Sequence, residues 1–142
     1  VIQVPDPLVA RMKQAAEAAY PRECCGLLIG RQQGGGDFTV TETAASRNVA
    51  EGDRKDRFEV DPQVRFDVMR RLEGGPEKII GHYHSHPDHA GEPSATDFEM
   101  AFEPEMVWLI VAVDNGLAQR PRAHIVDMAA GGFREIELRT YP

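Results

Sequence analysis

Histidines are concentrated in one short segment of this sequence, residues 81–97, which reads GHYHSHPDHAGEPSATD. Four of the five histidines of the chain lie between positions 82 and 89. The first three alternate with other residues, so in an extended strand their side chains would project from one face. Imidazole nitrogens are common ligands of zinc. The pattern therefore predicts a metal site where this strand ends, at Pro87.

Two ligand sets are compatible with the spacing. The first consists of the three alternating histidines, His82, His84 and His86. The second combines the last two of these with a carboxylate from elsewhere. Asp97 is the better candidate, because Asp88 is too close in sequence to turn back towards the rings. Either set provides three protein ligands and leaves a fourth position for water, which is typical of catalytic zinc.

The residues Ser94-Ala95-Thr96-Asp97 also allow a purely structural interpretation. Ser-x-x-Asp before an apolar run resembles a capping box, in which Ser94 caps a helix and Asp97 bonds back to it. The two roles are compatible, since Ser94 can cap the helix while Asp97 turns towards an ion. An attacking water also needs a proton acceptor. Glu23 is a candidate because it lies at a boundary between elements, but the pattern equally fits an ordinary exposed acid.

Several elements are predicted to position these residues. Asp6-Pro7 and Asp61-Pro62 each predict a helix start, since an acidic cap followed by proline is favoured there. A short third helix begins at Ser94, and 47–57 and 87–93 are predicted loops. The predicted strands are 24–30, 38–46, 58–60, 77–84, 106–113, 122–128 and 133–139. This order predicts an α/β fold with a mixed sheet.

Composition restricts the class of protein. A length of 142 residues fits one domain, 1–142, with one core. The net charge of −7 argues against a nucleic-acid surface. We expect no membrane span and no signal peptide, because the required apolar runs are missing. The only cysteines, Cys24 and Cys25, are adjacent, which disfavours a disulfide-stabilised secreted domain or a thiolate zinc site and predicts a cytoplasmic location.

Together these motifs resemble the JAMM, or MPN-plus, zinc metallopeptidases. The signature of that family is an upstream glutamate, then His-x-His, seven residues and Ser-x-x-Asp. Here the His-x-His motif at 84–86 is followed by seven residues and by the Ser-x-x-Asp motif at 94–97. PRECCGLLIG, 21–30, resembles the family's Glu-x-x-Gly-x-Leu-x-Gly. The segment 47–62 resembles the one before the second helix in bacterial members, so the resemblance covers nearly the whole chain.

The resemblance implies a role for each motif residue. It assigns three ligands to one zinc ion with a bound water, namely His84, His86 and Asp97. Glu23 matches the general base, and Ser94 matches the serine thought to polarise the carbonyl or orient the water. Relatives commonly carry an apolar or aromatic residue at His82, so we expect it to form a wall of the site. The fold implied is a curved mixed β-sheet flanked by helices, similar in outline to cytidine deaminase.

The implied function is hydrolysis of peptide or isopeptide bonds. The chain has little room for the insertions with which eukaryotic relatives grip ubiquitin, so it resembles the compact prokaryotic members. Several of those process ubiquitin-like sulfur-carrier proteins. We therefore expect cleavage after the C-terminal Gly-Gly of such a protein, in a groove lined by 47–57 and 87–93. The alternatives are a catalytically silent MPN-type scaffold, a structural zinc module, and a deaminase, which would need a Pro-Cys-x-x-Cys pair.

Overall fold

A computed structural model describes residues 1–142 and contains three helices and nine strands. The helices are α1 (Asp6–Ala19), α2 (Pro62–Leu72) and α3 (Ala95–Glu99). The strands are β1 (Ile2–Pro5), β2 (Cys25–Gln33), β3 (Asp37–Ser46), β4 (Lys78–Pro87), β5 (Val107–Asp114), β6 (Leu117–Ala118), β7 (Arg122–Asp127), β8 (Gly132–Ile136) and β9 (Leu138–Tyr141). None of the helices combines the length and the apolar character that crossing a lipid bilayer requires.

All nine strands belong to one mixed sheet. Its order is β8-β7-β5-β4-β2-β3-β1-β9, and β6 pairs with the end of β5. The central strands β4 and β5 are parallel, whereas β2 runs antiparallel to β4. Strands β8 and β9 lie at opposite ends of this order, although only Glu137 separates them in the chain. The two ends of the sheet therefore lie side by side, and the predicted curved mixed sheet is confirmed.

The structure corrects several details of the predicted elements. Strands β1 and β6 were not predicted, and 133–139 divides into two strands at Glu137. Residues 58–60 form no strand and contribute only an isolated bridge between Asn48 and Val60. Asp61 caps α2 as predicted, by accepting a hydrogen bond from the Gln63 amide. In α1 the N-cap residue is Pro5, so the acidic residue lies in the first turn instead.

The main apolar core lies between one face of the sheet and α1. Helix α1 buries Met12 and Ala16, which are four residues apart and therefore share one side of the helix. The sheet contributes alternate residues of its central strands, among them Leu28, Tyr83 and Leu109. Because side chains alternate along a strand, the neighbours of these residues must face the opposite side of the sheet.

That opposite face carries the histidines. In the register of β2 with β4, Leu27 lies beside His82 and Cys25 lies beside His84. A smaller apolar cluster of Leu27, Ile29 and Val68 packs α2 onto this face. The strands come very close together here: a side chain at Gly81 would collide with the backbone of β5. The end of β4 beyond this cluster is where the candidate site lies.

Candidate metal centre

Three side chains converge at the end of β4. His84 and His86 come from the strand, and Asp97 comes from α3. Their atoms form a triangle, with 3.0 Å between the two histidine Nε2 atoms. Asp97 Oδ2 lies 3.3 Å from His84 Nε2 and 3.0 Å from His86 Nε2. All three side chains are buried, so one small ion could touch all three ligand atoms at once.

The donor set fits a divalent cation such as zinc. The Nδ1 atom of His86 donates to the Ala90 carbonyl at 2.9 Å, so in the neutral ring Nε2 presents a lone pair. Burial lowers the pKa of His84, which favours its neutral form. Burial also opposes the charge of His86, but hydrogen bonds with Asp97 and the Ala90 carbonyl raise its pKa, so an ion would have to displace a proton there. In a tetrahedral site with zinc bonds of about 2.0–2.1 Å, ligand atoms lie about 3.3 Å apart. The observed triangle is close to this size.

Asp97 forms the capping box and is also placed for the second role considered for it. Its Oδ2 accepts from the Ser94 amide at 2.9 Å, and its own amide donates to Ser94 Oγ at 3.0 Å, which completes the capping box. The same Oδ2 faces the two histidines. Burial opposes the charge of this carboxylate, but hydrogen bonds with His84 and His86 hold its pKa well below the usual value. The cap thus orients the side chain for an ion.

The loop after β4 is fixed from outside the site. Asp88 accepts from the Tyr20 hydroxyl at 2.6 Å and from the Asn115 amide at 2.8 Å. Its carboxylate is therefore engaged elsewhere, as expected for a residue that is not a ligand. His124 forms a 2.9 Å hydrogen bond with the Gly91 carbonyl. These contacts hold the carbonyl of Ala90 where it can receive the proton of His86.

Glu23 is buried beside this cluster. The Cys24 amide donates to Ser85 Oγ at 2.8 Å, and the Ser85 amide donates to the Cys24 carbonyl at 3.2 Å. This pairing continues the register of β2 and places Glu23 at the level of His86. Only 4% of Glu23 is exposed, and its Oε1 has no hydrogen-bond partner. Burial and then the charge of Asp97 raise its pKa to about 9, so it is not an ordinary surface acid.

Comparison with known proteins identifies the family. Residues 5–124 match the sequence-family model that is described as prokaryotic homologs of the JAB domain. The chain belongs to this family. The predicted JAMM/MPN resemblance is thereby confirmed. A desampylase of Haloferax volcanii is 32% identical over 133 residues, which cover 94% of this chain and 88% of that protein. A CysO-cysteine peptidase of Mycobacterium tuberculosis is 29% identical over 91% of this chain and 86% of its own length.

A solved structure has the same architecture. The solution structure of a protein from Desulfitobacterium hafniense superposes with a TM-score of 0.83 at 26% identity. The match covers 99% of this chain and 93% of that one. The JAB-family fold therefore accounts for the complete described chain, including the strands β1 and β9 that lie outside the most recognisable motifs.

His82 lies outside the ligand triangle of this JAB-family site. Its ring packs against Trp108, with centroids 4.3 Å apart, and more loosely against Phe58 at 5.4 Å. Burial lowers its pKa to about 3, so the ring is neutral. The structure thus brings together the second of the two ligand sets and leaves His82 in an aromatic wall.

Phe58 is a site residue that the sequence did not indicate. Its ring stacks on His84, with centroids 4.2 Å apart and an interplanar angle of 15°. The predicted strand at 58–60 offered no reason to place this ring over a candidate ligand 26 positions further along the chain. Asn48, whose hydrogen bonds are described below, was missed for the same reason.

Two clefts flank the metal centre. An apolar cavity of about 280 Å³ lies on the side of His82, and its walls include Phe58, Met100 and Phe102. A cavity of about 470 Å³ lies on the side of Ser94, between α3 and His124. The predicted loop 87–93 contributes its last residues to the second cavity, whereas 47–57 lines neither of them. A polypeptide passing the site could thus be held on both sides.

Proposed function

We propose that this chain is a zinc-dependent peptidase or isopeptidase that cleaves a ubiquitin-like or sulfur-carrier protein after its C-terminal Gly-Gly. The observation that carries the proposal is the buried carboxyl of Glu23 beside the triangle of His84, His86 and Asp97. The names of two relatives, a desampylase and a CysO-cysteine peptidase, agree with it. The two free cysteines agree with a cytoplasmic location.

The residues of the chain divide the work of hydrolysis. Zinc, when bound, supplies a Lewis acid that polarises the carbonyl and makes water more acidic. Glu23 Oε1 is free of other hydrogen bonds, so it can accept a proton from the attacking water. A cation held by the neighbouring triangle would favour the ionised form of Glu23, which can then accept the proton, and burial of its carboxyl favours delivery of that proton to the departing amine.

Ser94 acts at the other side of the centre. Its Oγ accepts from the Asp97 amide, which leaves the hydroxyl hydrogen available as a donor. A hydroxyl at this position can hydrogen bond to the oxygen of the scissile carbonyl as negative charge develops there. Ser94 therefore has two functions, to fix the ligand Asp97 and to orient the substrate.

The two clefts suit an extended substrate. A Gly-Gly tail has no side chains beyond hydrogen, so it can approach the metal centre past Phe58, which lines the first cleft and stacks on His84, where bulkier residues would collide. The cleft beside Ser94 then receives the part of the substrate that leaves. Binding on both sides of the scissile bond positions the carbonyl, which contributes strongly to hydrolysis.

The direct test uses a ubiquitin-like carrier that ends in Gly-Gly and is fused to a short peptide. Mass spectrometry of the products should show a cut after Gly-Gly with the zinc-loaded protein. A chelator should abolish the cut, and added zinc should restore it. The matched control is the same fusion with Ala-Ala in place of Gly-Gly, which should be cut much more slowly.

The variant Glu23→Gln separates catalysis from metal binding. It should retain stoichiometric zinc, while turnover falls by roughly 10²–10⁴-fold because a proton acceptor is lost. Undiminished turnover would remove Glu23 from the reaction. If the zinc-loaded wild-type protein leaves the fusion intact, the proposed cleavage after Gly-Gly is wrong, and the silent MPN-type scaffold becomes the alternative to test.

A further inference from the structure

The side-chain amide of Asn48 uses its complete hydrogen-bonding capacity. Its Nδ2 donates to the Glu23 carbonyl at 3.1 Å and to the Arg57 carbonyl at 3.0 Å. Its Oδ1 accepts from the amides of Ala50 and Glu59, both at 3.0 Å. Two donors and two acceptor positions are all that an amide side chain offers. No other side chain of the chain makes four hydrogen bonds to backbone groups.

The bonds of Asn48 surround Phe58. Arg57 precedes this residue and Glu59 follows it, so the amide fixes the backbone on both sides of the ring that stacks on His84. The surrounding stretch 51–57 is almost entirely exposed and belongs to no helix or strand. Because it buries little apolar surface, hydrogen bonds must supply most of its fixed position.

The backbone of Glu23 is held by the same segment from both directions. Its carbonyl accepts from Asn48, and its amide donates to the Arg54 carbonyl at 2.7 Å. Arg54 is in turn tied to the segment, since its Nε donates to the Ala50 carbonyl at 2.9 Å. The position of the Glu23 carboxyl therefore depends on a loop that is organised around one amide.

We propose that Asn48 is a positioning residue that fixes Glu23 and Phe58 against the metal centre. For Glu23 this rests on the function proposed above, whereas the placement of Phe58 on His84 does not. An aspartate would keep the two accepted bonds but would turn an acceptor oxygen towards two carbonyls. A hydroxyl group is too short and has a single hydrogen. Only an amide of this length satisfies both carbonyls and both backbone amides at once.

The test compares Asn48→Asp with the reverse exchange in the same loop, Asp53→Asn. Asp53 is exposed, and asparagine keeps its bond from the Lys55 amide, so this control should behave as wild type. With Asn48→Asp and stoichiometric zinc, we expect kcat to fall by about a hundredfold, because misplacement by about 1 Å has an effect of that size. KM should change by a smaller factor, because Phe58 lines only one of the two substrate clefts.

A second readout needs no catalysis. Trp108 is the only tryptophan, and its ring meets Phe58 at 5.7 Å. Release of Phe58 from His84 should expose the indole, so Asn48→Asp should shift its emission to longer wavelength, whereas Asp53→Asn should not. This measurement remains decisive for Phe58 even if no carrier protein is cleaved, so failure of the proposed function can be distinguished from failure of this inference.

Coupling to Glu23 is tested by combining the substitutions. In the Glu23→Gln background, Asn48→Asp should reduce the residual rate by less than threefold, because the group it positions is already gone. A full further hundredfold loss would mean that Asn48 only supports the fold, and would overturn the proposal. So would wild-type kcat together with unchanged emission. If Asn48→Asp does not fold, Asn48→Ser, which introduces no charge, is judged by the same criteria.

Discussion

The two faces of the central sheet differ in the polarity of the side chains that they bury. The face towards α1 is filled by apolar side chains such as Leu28 and Leu109, which are fully buried. The other face combines a small apolar cluster with buried polar residues. All four buried side-chain polar atoms without a hydrogen-bond partner lie on or beside this second face: Glu23 Oε1, His82 Nδ1, His84 Nδ1 and Trp108 Nε1.

The difference separates stability from chemistry. Buried polar atoms without partners are unfavourable for folding, by about 1–3 kcal/mol each. Apolar burial on the α1 face supplies the free energy that offsets them. The strands β4 and β5 take part in both faces, since alternate residues point to each. The site is therefore rigid because the opposite face is well packed, and substitutions on the two faces should have separable effects.

Metal binding should depend on the face of the sheet that carries the histidines, and on that face only on the triangle of His84, His86 and Asp97. Asp97→Ala should lower zinc affinity by roughly a hundredfold or more, because loss of a ligand exceeds loss of an outer contact. His82→Ala removes a half-buried neighbour that lies outside the triangle, so it should retain stoichiometric zinc. Metal analysis and competition with a chromogenic chelator measure both. If only the His82 change strips zinc, the ligand set is wrong.

Stability should depend mainly on the α1 face. Leu28→Ala leaves a cavity among fully buried side chains and should lower the free energy of unfolding by about 2–5 kcal/mol. Below its melting temperature this variant should still bind zinc with the affinity of the wild-type protein. Denaturant titration in the presence of a chelator gives the first quantity, and zinc competition gives the second. A large loss of zinc affinity in the folded variant would show that the two faces are coupled.

The pH dependence of stability should identify Glu23 as a cost to folding. Its pKa is raised from 4.5 to about 9, so between these values the native protein holds a proton that the unfolded chain has released. The contribution of Glu23 to the stability of the metal-free protein should therefore fall as pH rises through this range, by at most about 1.4 kcal/mol per pH unit. Glu23→Gln has no such group. Its advantage over the wild-type protein should grow from pH 5 to pH 8, and parallel curves would contradict this.

The sequence was informative where structure is local. The cap of α2 at Asp61 and the capping box at Ser94 involve residues two or three positions apart, so their motifs could be read directly. The pair His84 and His86 was common to both ligand sets for the same reason. Choosing between His82 and Asp97 as the third ligand required the position of α3 relative to β4, which spacing does not contain. Family resemblance, and not periodicity, supplied that choice.

Features that depend on distant parts of the chain were missed. Strand β1 has only four residues and pairs with β3 and β9, the latter more than 130 positions away. No pattern within so short a segment reveals such partners. The loop 47–60 has the exposed, polar composition of an unremarkable connection, yet it carries Phe58 onto His84. Its importance follows from the single side chain of Asn48 and becomes visible only when all four hydrogen-bond partners are known.

The smallest expected effect concerns the aromatic wall. His82 Nδ1 is buried without a partner, so His82→Phe removes an unfavourable atom and keeps a ring against Trp108. The free energy of unfolding should stay level or rise by up to about 1 kcal/mol. The comparison is His124→Phe, because His124 is also a strand histidine but its ring is bonded to the Gly91 carbonyl. That change leaves the carbonyl unpaired and should be destabilising. If both substitutions destabilise equally, the missing partner of His82 has no energetic consequence, and the contrast between the two faces is weaker than the hydrogen bonds indicate.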